Sequence, residues 1–328
     1  MRSFAHINAH TIEEVHPLLE KYKGKAVLNA GGTDLLGVLK DEILPDYPEV
    51  VINIKTISGL DSITENDRGF TIGSLAKLSD IANSPLIKER YPVLAEAAHS
   101  VATPQIRNAA TIGGNLCQDV RCWYYRYPRH IGGPIQCLRK GIGPCLAVRG
   151  DNRYHAIMEG KKCFAVCPSD TAVALAALDA TIHVVGPEGS RNIAIDDFFG
   201  PLSNALKPNE IVKVISVPAL SSSTNQKYIK FTLRKPVDFA IVSVASVVAM
   251  ENGICTDARI ALGAVAPGPV RAHTAEDMLK GKAISETSVA AAAELALSGA
   301  KPLSMNSYKI EITKSLIKRA LLGGGECQ

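Results

Sequence analysis

The 328-residue chain contains no apolar run near the roughly 18 residues that a membrane helix needs. One of its longest, residues 239–250, is broken by two serines and reads as a buried strand. Charge of one sign is also scarce. There are 36 basic and 32 acidic residues, a net +4, and no long Lys/Arg block of the kind that marks a nucleic-acid footprint. Nucleic acid and membrane surfaces are therefore poor partners. Residues 1–8 lead into a polar helix start without an apolar signal core, so nothing here directs export and a cytoplasmic location is expected. Neither G-x-G-x-x-G nor G-x-x-x-x-G-K-[ST] occurs, which argues against a nicotinamide Rossmann fold and a P-loop. No internal repeat is visible. What remains is a globular composition, 46% hydrophobic and 21% charged, in a chain long enough for about two domains.

Cysteine is the informative residue. Six of the eight, Cys117, Cys122, Cys137, Cys145, Cys163 and Cys167, crowd into one stretch, while Cys255 and Cys327 stand apart. A local cluster in a mid-sized chain without a signal points to metal or redox chemistry ahead of disulfides. A tetrathiolate zinc site usually shows paired C-x-x-C knuckles, and none is present, the closest spacings being Cys163-x-x-x-Cys167 and Cys117-x-x-x-x-Cys122. An iron–sulfur cluster accepts scattered cysteines if four thiolates converge. Arg121, Arg126, Arg129, Arg139, Lys140, Arg149, Arg153, Lys161 and Lys162 are placed to offset its negative charge. The only tryptophan, Trp123, follows Cys122, with Tyr124, Tyr125 and Tyr127 next. These aromatics are either a shield around a redox centre or ordinary packing.

Local patterns mix helices and strands without a regular βαβ beat, which predicts an α+β fold. A capping box at Thr11 to Glu14 opens a helix over 12–23. Strands are expected at 26–29, 50–54, 60–63, 70–72 and 181–185, and helices at 75–81, 93–99 and 171–180. The polar run 221–226 marks a domain boundary. Beyond it come strands at 229–233, 241–250 and 254–265, with an Asn252-Gly253 hairpin turn, then helices at 274–279, 288–297 and 307–322.

Two glycine turns could meet a phosphate: Asn29-Ala30-Gly31-Gly32-Thr33-Asp34 and Thr111-Ile112-Gly113-Gly114-Asn115. Missing side chains let backbone N–H groups approach an anion, and a following helix presents its positive end. A pair of such loops could hold the pyrophosphate of a dinucleotide-like cofactor between them. Asp170 could cap the helix after it or accept hydrogen bonds from a ribose or adenine. Lys230 and Arg234, taken alone, read as solvated charges. His99, His130 and His155 show no spacing that suggests a hydrolase.

Residues 30–35, 104–115 and 196–199, with Gly263-Ala264-Val265-Ala266-Pro267 and the closing helix from Tyr308, resemble the FAD-binding medium subunit of the xanthine dehydrogenase family of molybdenum hydroxylases. The resemblance implies an FAD-binding domain of the p-cresol methylhydroxylase/vanillyl-alcohol oxidase type over 1–220. Its two α+β subdomains would be about 1–55 and 56–220, followed by a C-terminal α+β domain over 221–328. It assigns both glycine loops to the FAD pyrophosphate, Asp170 to the adenosine half and Lys230 to the cofactor site. The cysteine-bearing stretch, about 117–167, is similar to the insertion of the 4-hydroxybenzoyl-CoA reductase β subunit and of three-subunit aldehyde oxidoreductases. That likeness implies a [4Fe-4S] cluster on Cys122, Cys137, Cys145 and Cys163, with Cys117 and Cys167 spare. The implied partners are a large molybdenum subunit, a small [2Fe-2S] subunit and an external carrier such as ferredoxin. Substrate chemistry then takes place outside this chain, which moves electrons. A self-sufficient flavin oxidoreductase and a zinc-organised scaffold are the rival readings.

Overall fold

A computed structural model describes residues 1–132, 135–220, 224–235 and 237–323. Three sheets carry three apolar cores. The first sheet is parallel, in the order β1-β3-β2, with β1 at Ala5–Asn8, β2 at Ala26–Asn29 and β3 at Val50–Asn53. The helix Ile12–Tyr22 closes it, capped where Thr11 accepts from the Glu14 N–H, and its Val15 packs with Val50 and Ile52. Parallel strands deliver their carboxyl ends to one edge, where cofactors gather in such sheets. Asn29, the last residue of β2, therefore carries the chain straight into the first glycine turn.

The second sheet has the order β4-β5-β8-β6-β7, all antiparallel, from Ile63–Asn66, Gly69–Gly73, Thr181–Gly186, Gly189–Ala194 and Ile211–Pro218, numbered β4 to β8 along the chain. Helices Pro92–His99 and Asp170–Ala177 pack with it over a core that includes Phe70, Ile72, Leu94, Leu175 and Ile215. The third sheet, β12-β11-β10-β9, is formed by Thr224–Phe231 (β9), Val242–Glu251 (β10), Ile254–Gly263 (β11) and Val270–Arg271 (β12). Helices His273–Leu279, Glu286–Ala296 and Tyr308–Leu322 bury Leu279, Val289 and Ile317 with Val244 and Leu262.

Most expected elements are present, including the hairpin in which Asn252 and Gly253 adopt φ of 50° and 80°. Three depart. The strand expected at 60–63 begins only at Ile63, because the Leu60 carbonyl is taken by the Leu75 N–H at 2.7 Å. Leu75 lies in a turn closed by the Ala76 N–H on the Gly73 carbonyl, and Lys77 bridges to Thr111, so that helix starts at Leu78. The strand expected at 229–233 spans Thr224–Phe231 and so begins inside the polar run, since pairing along β10 outweighs its composition. The rest of that run, 221–223, lies outside the described residues. Among the described residues of 117–167 regular structure is sparse, the short helix Arg129–Gly132 and two single 3₁₀ turns. No helix among the described residues is long and apolar enough to cross a membrane.

Candidate functional site: a glycine cradle and a thiol cluster

The first glycine turn packs against Ala109 and Ala110, which lead directly into the second. A Cβ on Gly31 would lie 2.1 Å from the Ala109 carbonyl oxygen, and one on Gly113 would lie 2.8 Å from the backbone oxygen of Ser74. Glycine is therefore required at both by close backbone approach. Gly32 adds a left-handed φ of 71°. Thr111 caps the helix Ile112–Cys117 by accepting from the Gly114 N–H at 3.2 Å. Both turns line one cavity of about 490 Å³, and Val101, Ile106, Leu206, Ile211 and Val212 are among its apolar lining. Two buried oxygens at these turns, Asn29 Oδ1 and Ser74 Oγ, have no partner within the described chain. A cradle with required glycines, open backbone and unpartnered polar atoms fits a phosphate-bearing cofactor.

Asp34 caps nothing. One of its oxygens accepts from Arg121 at 2.6 Å and Arg126 at 2.7 Å, and the other from the Asp119 N–H at 2.8 Å. The first glycine turn is thereby bolted to the start of the cysteine-bearing stretch. Asn115 is also occupied, its Oδ1 accepting from the Ser169 and Thr171 hydroxyls at 2.6 and 2.7 Å.

Asp170 is the first residue of its helix, and the cap is Ser169. Its carboxylate, nearly buried, accepts from Lys230 Nζ at 2.7 Å and the Tyr228 hydroxyl at 2.6 Å. Lys230 and Tyr228 are two apart on β9 and so share a face. Burial first, then the Asp170 charge, holds the Tyr228 phenol protonated far beyond its ordinary range. The expectation that Lys230 is solvated is thus corrected: its side chain is 7% exposed and paired. Arg234 does stand in solvent, paired with Asp238. A second cavity, about 530 Å³, extends between Asp170 and the cysteine stretch, walled by Trp123, Tyr154, Phe239 and Ile241. Arg121 and Phe239, stacked 4.6 Å apart, line both cavities.

The thiols divide in two. Cys137 and Cys163 are buried in one small apolar cluster with Val38, Val120 and Tyr125, and Cys122 packs against it. Burial pushes the Cys122 thiol up to about 11, and the Cys137 and Cys163 thiols beside it add to the rise. Burial likewise raises Cys163, with Cys145 and Cys137 contributing in the same direction and Arg139 opposing them. Cys163 is thus the thiol that lies near each of Cys122, Cys137 and Cys145. Cys167 belongs to the large core, where burial pushes its thiol up to about 12, and Cys117 lines the glycine cavity. Among the described residues no three His, Cys, Asp or Glu form a ready site for a single metal ion.

Of the basic residues read as offsetting cluster charge, Arg121, Arg126 and Arg153 are committed to carboxylates instead. Arg139 and Lys140 flank the thiols, over the Tyr125 ring. The patterns also missed Ser74, which carries no motif, and Tyr228, which alternation from Lys230 could have revealed. They missed His155 as well, whose Nε2 lies 3.2 Å from Cys122 Sγ.

Comparison with known proteins defines the class. Residues 2–220 match the FAD binding domain in molybdopterin dehydrogenase, and residues 227–323 match the CO dehydrogenase flavoprotein C-terminal domain. The chain is 32% identical to the aldehyde oxidoreductase FAD-binding subunit PaoB of Escherichia coli, over 98% of each chain. It is 30% identical to the carbon monoxide dehydrogenase medium chain of Hydrogenophaga pseudoflava, over 95% and 93%. The solved carbon monoxide dehydrogenase of that organism superposes with a TM-score of 0.78 at 29% identity, covering 98% and 96%. The chain belongs to the FAD-binding medium subunits of the molybdenum hydroxylase family, and it is an oxidoreductase subunit with their mixed α+β fold. The two family descriptions and that of PaoB name FAD or a flavoprotein, and none of the descriptions above names an iron–sulfur cluster.

Proposed function

We propose that this subunit passes electrons between an external carrier and a molybdenum-bearing large subunit with its [2Fe-2S] small subunit, using FAD and one [4Fe-4S] cluster of its own. Bound FAD exchanges electrons singly or in pairs, joining one-electron carriers to two-electron chemistry. Its pyrophosphate is assigned to backbone amides of Asn29, Ala30, Gly31, Gly32 and Thr33 and of Thr111, Ile112, Gly113, Gly114 and Asn115. Asp34 and Asp119 hold the first turn to the inserted stretch. The adenosine half is assigned to the cavity beside Asp170, with Lys230 neutralising that carboxylate, and the flavin ring to the apolar lining at Val101, Leu206 and Val212. The two domains are taken as 1–220 and 221–328.

The cluster is assigned to Cys122, Cys137, Cys145 and Cys163. The observation that carries this reading is the packing of Cys137, Cys163 and Cys122 around one small apolar cluster, with Cys145 close enough to raise the Cys163 thiol, whereas Cys167 enters the large core and Cys117 lines the glycine cavity. A cubane holds its ligand sulfurs farther apart than one ion does, and it needs the positive surroundings that Arg139 and Lys140 supply. The cluster would give a one-electron port suited to ferredoxin or a similar carrier. Substituting Cys145→Ser and Cys167→Ser in the anaerobically purified chain tests the assignment. Iron should fall sharply in the first and hold in the second, with FAD kept in both. Loss of iron in Cys167→Ser, or its retention in Cys145→Ser, overturns the ligand set.

A further inference from the structure

His155 is a side chain that the electron-transfer scheme does not use. It is 3% exposed, and its ring has one polar neighbour: Nε2 lies 3.2 Å from Cys122 Sγ, while Nδ1 is buried without a partner among the described residues. The tautomer follows from that asymmetry. A buried N–H without an acceptor costs more than a bare ring nitrogen, so the proton belongs on Nε2, directed at sulfur.

The ring is held from two sides. Trp123 stands edge-on to it at 5.5 Å and Tyr124 is tilted against it at 6.0 Å. The backbone is held by the C-terminal domain. The His155 carbonyl accepts from Asn306 Nδ2 and from Lys309 Nζ, each at 3.1 Å, and Lys309 Nζ also donates to the Ala264 carbonyl at 2.5 Å. Ala264 has a φ of 58°, a conformation that alanine adopts only under constraint. Asn152, three residues before His155, is tied by its Oδ1 to the Met305 N–H at 2.9 Å. A buried lysine, two buried asparagines and a strained alanine thus converge on one backbone segment, and what that segment presents is the imidazole N–H.

We propose that His155 is a positioning residue for the cluster: it donates an N–H···S hydrogen bond to the Cys122 thiolate and so raises the cluster's reduction potential. This rests on the cluster assignment above. A hydrogen bond to a ligand sulfur stabilises the more negative, reduced state more than the oxidised one, which is how proteins tune such potentials. Lys309 and Asn306 act one step further back, by fixing where the donor stands.

The test uses the complete complex, purified without oxygen, in three forms: native, His155→Phe and His155→Gln. Phenylalanine keeps the packing against Trp123 without the donor, and glutamine restores an N–H. Iron, sulfide and FAD are measured first, then the cluster's midpoint potential by a redox titration followed by its EPR signal. His155→Phe should keep its iron and show a more negative potential. At one fixed applied potential the reduced-to-oxidised ratio should fall about five- to tenfold, as losing part of a hydrogen bond to charged sulfur implies. His155→Gln should recover part of that loss. An unchanged potential in a fully loaded His155→Phe overturns the hydrogen-bond role alone. Lost iron with FAD retained also overturns it, making His155 a ligand. A native complex in which this chain carries no cluster refutes the assignment beneath it.

Discussion

Replacing Gly31 by alanine probes the contact on which the cofactor cradle depends. The added Cβ would stand 2.1 Å from the Ala109 oxygen, 2.8 Å from the Ala109 carbon and 2.9 Å from Ala110 Cα. All three are backbone atoms, so no side chain can rotate out of the way and the first turn must move away from the Ala109-Ala110 segment that leads into the second. Overpacking of this kind costs roughly 1–3 kcal/mol, and a backbone obstacle places it near the upper end. If the cost falls on the juxtaposition that receives the pyrophosphate, apparent FAD affinity drops by about 100-fold, at 1.4 kcal/mol per decade. The assay is titration of the FAD-stripped chain with FAD, followed by the quenching of flavin fluorescence, beside a urea unfolding curve. Gly37→Ala is the control, because a Cβ there meets nothing within 4 Å. An FAD affinity for Gly31→Ala equal to that of the native chain would refute the two-turn cradle.

Lys230→Met strands the Asp170 carboxylate in the interior, and a broken buried pair costs about 3–5 kcal/mol in urea unfolding. Adding Asp170→Asn should recover much of that loss; a single variant as stable as the native chain would contradict the pairing. Lys309 is fully buried without a carboxylate partner among the described residues, and burial pushes its ammonium down to about 7. From there up to the ordinary lysine value near ~10.4, the unfolded chain binds a proton that the folded chain has released. Stability contributed by this group should therefore rise with pH across that window, by at most ~1.4 kcal/mol per unit, and Lys309→Met should remove that slope. Equal slopes in the two proteins would show the lysine to be paired or hydrated. Asp34→Asn removes the shared anchor of Arg121 and Arg126, worth about 1.5–3 kcal/mol for hydrogen bonds to a charged group. Trypsin should then cut the cysteine-bearing stretch faster while the C-terminal domain stays intact, and an unchanged digestion rate would count against the anchor.

The parts of the site that the sequence displayed are those made by backbone. Gly31, Gly32, Gly113 and Gly114 announce themselves because a close approach or a left-handed φ admits few other residues, and Asn252-Gly253 does so for the same reason. The parts it concealed are made by side chains meeting across long intervals. Asp34 finds its partners 87 and 92 residues away, and Asp170 finds Lys230 60 residues on. No spacing rule encodes such pairs, so Asp34 reads as a phosphate ligand and Lys230 as a solvated charge. Strand β8, central in its sheet, has an alternating pattern that only its pairing with β5 and β6 makes decisive. The cysteines lie between these extremes. Their crowding was visible, but the separation of Cys163 from Cys167 depends on which core each enters, and that is settled by tertiary packing.

The claim that one chain holds both a flavin and a thiolate-bound cubane is tested most directly by assaying FAD, iron and acid-labile sulfide on a single anaerobic preparation of this subunit. About one FAD with about four irons and about four sulfides per chain is the expected result, as a [4Fe-4S] centre requires. FAD accompanied by neither iron nor sulfide, or by about one zinc in their place, would contradict it.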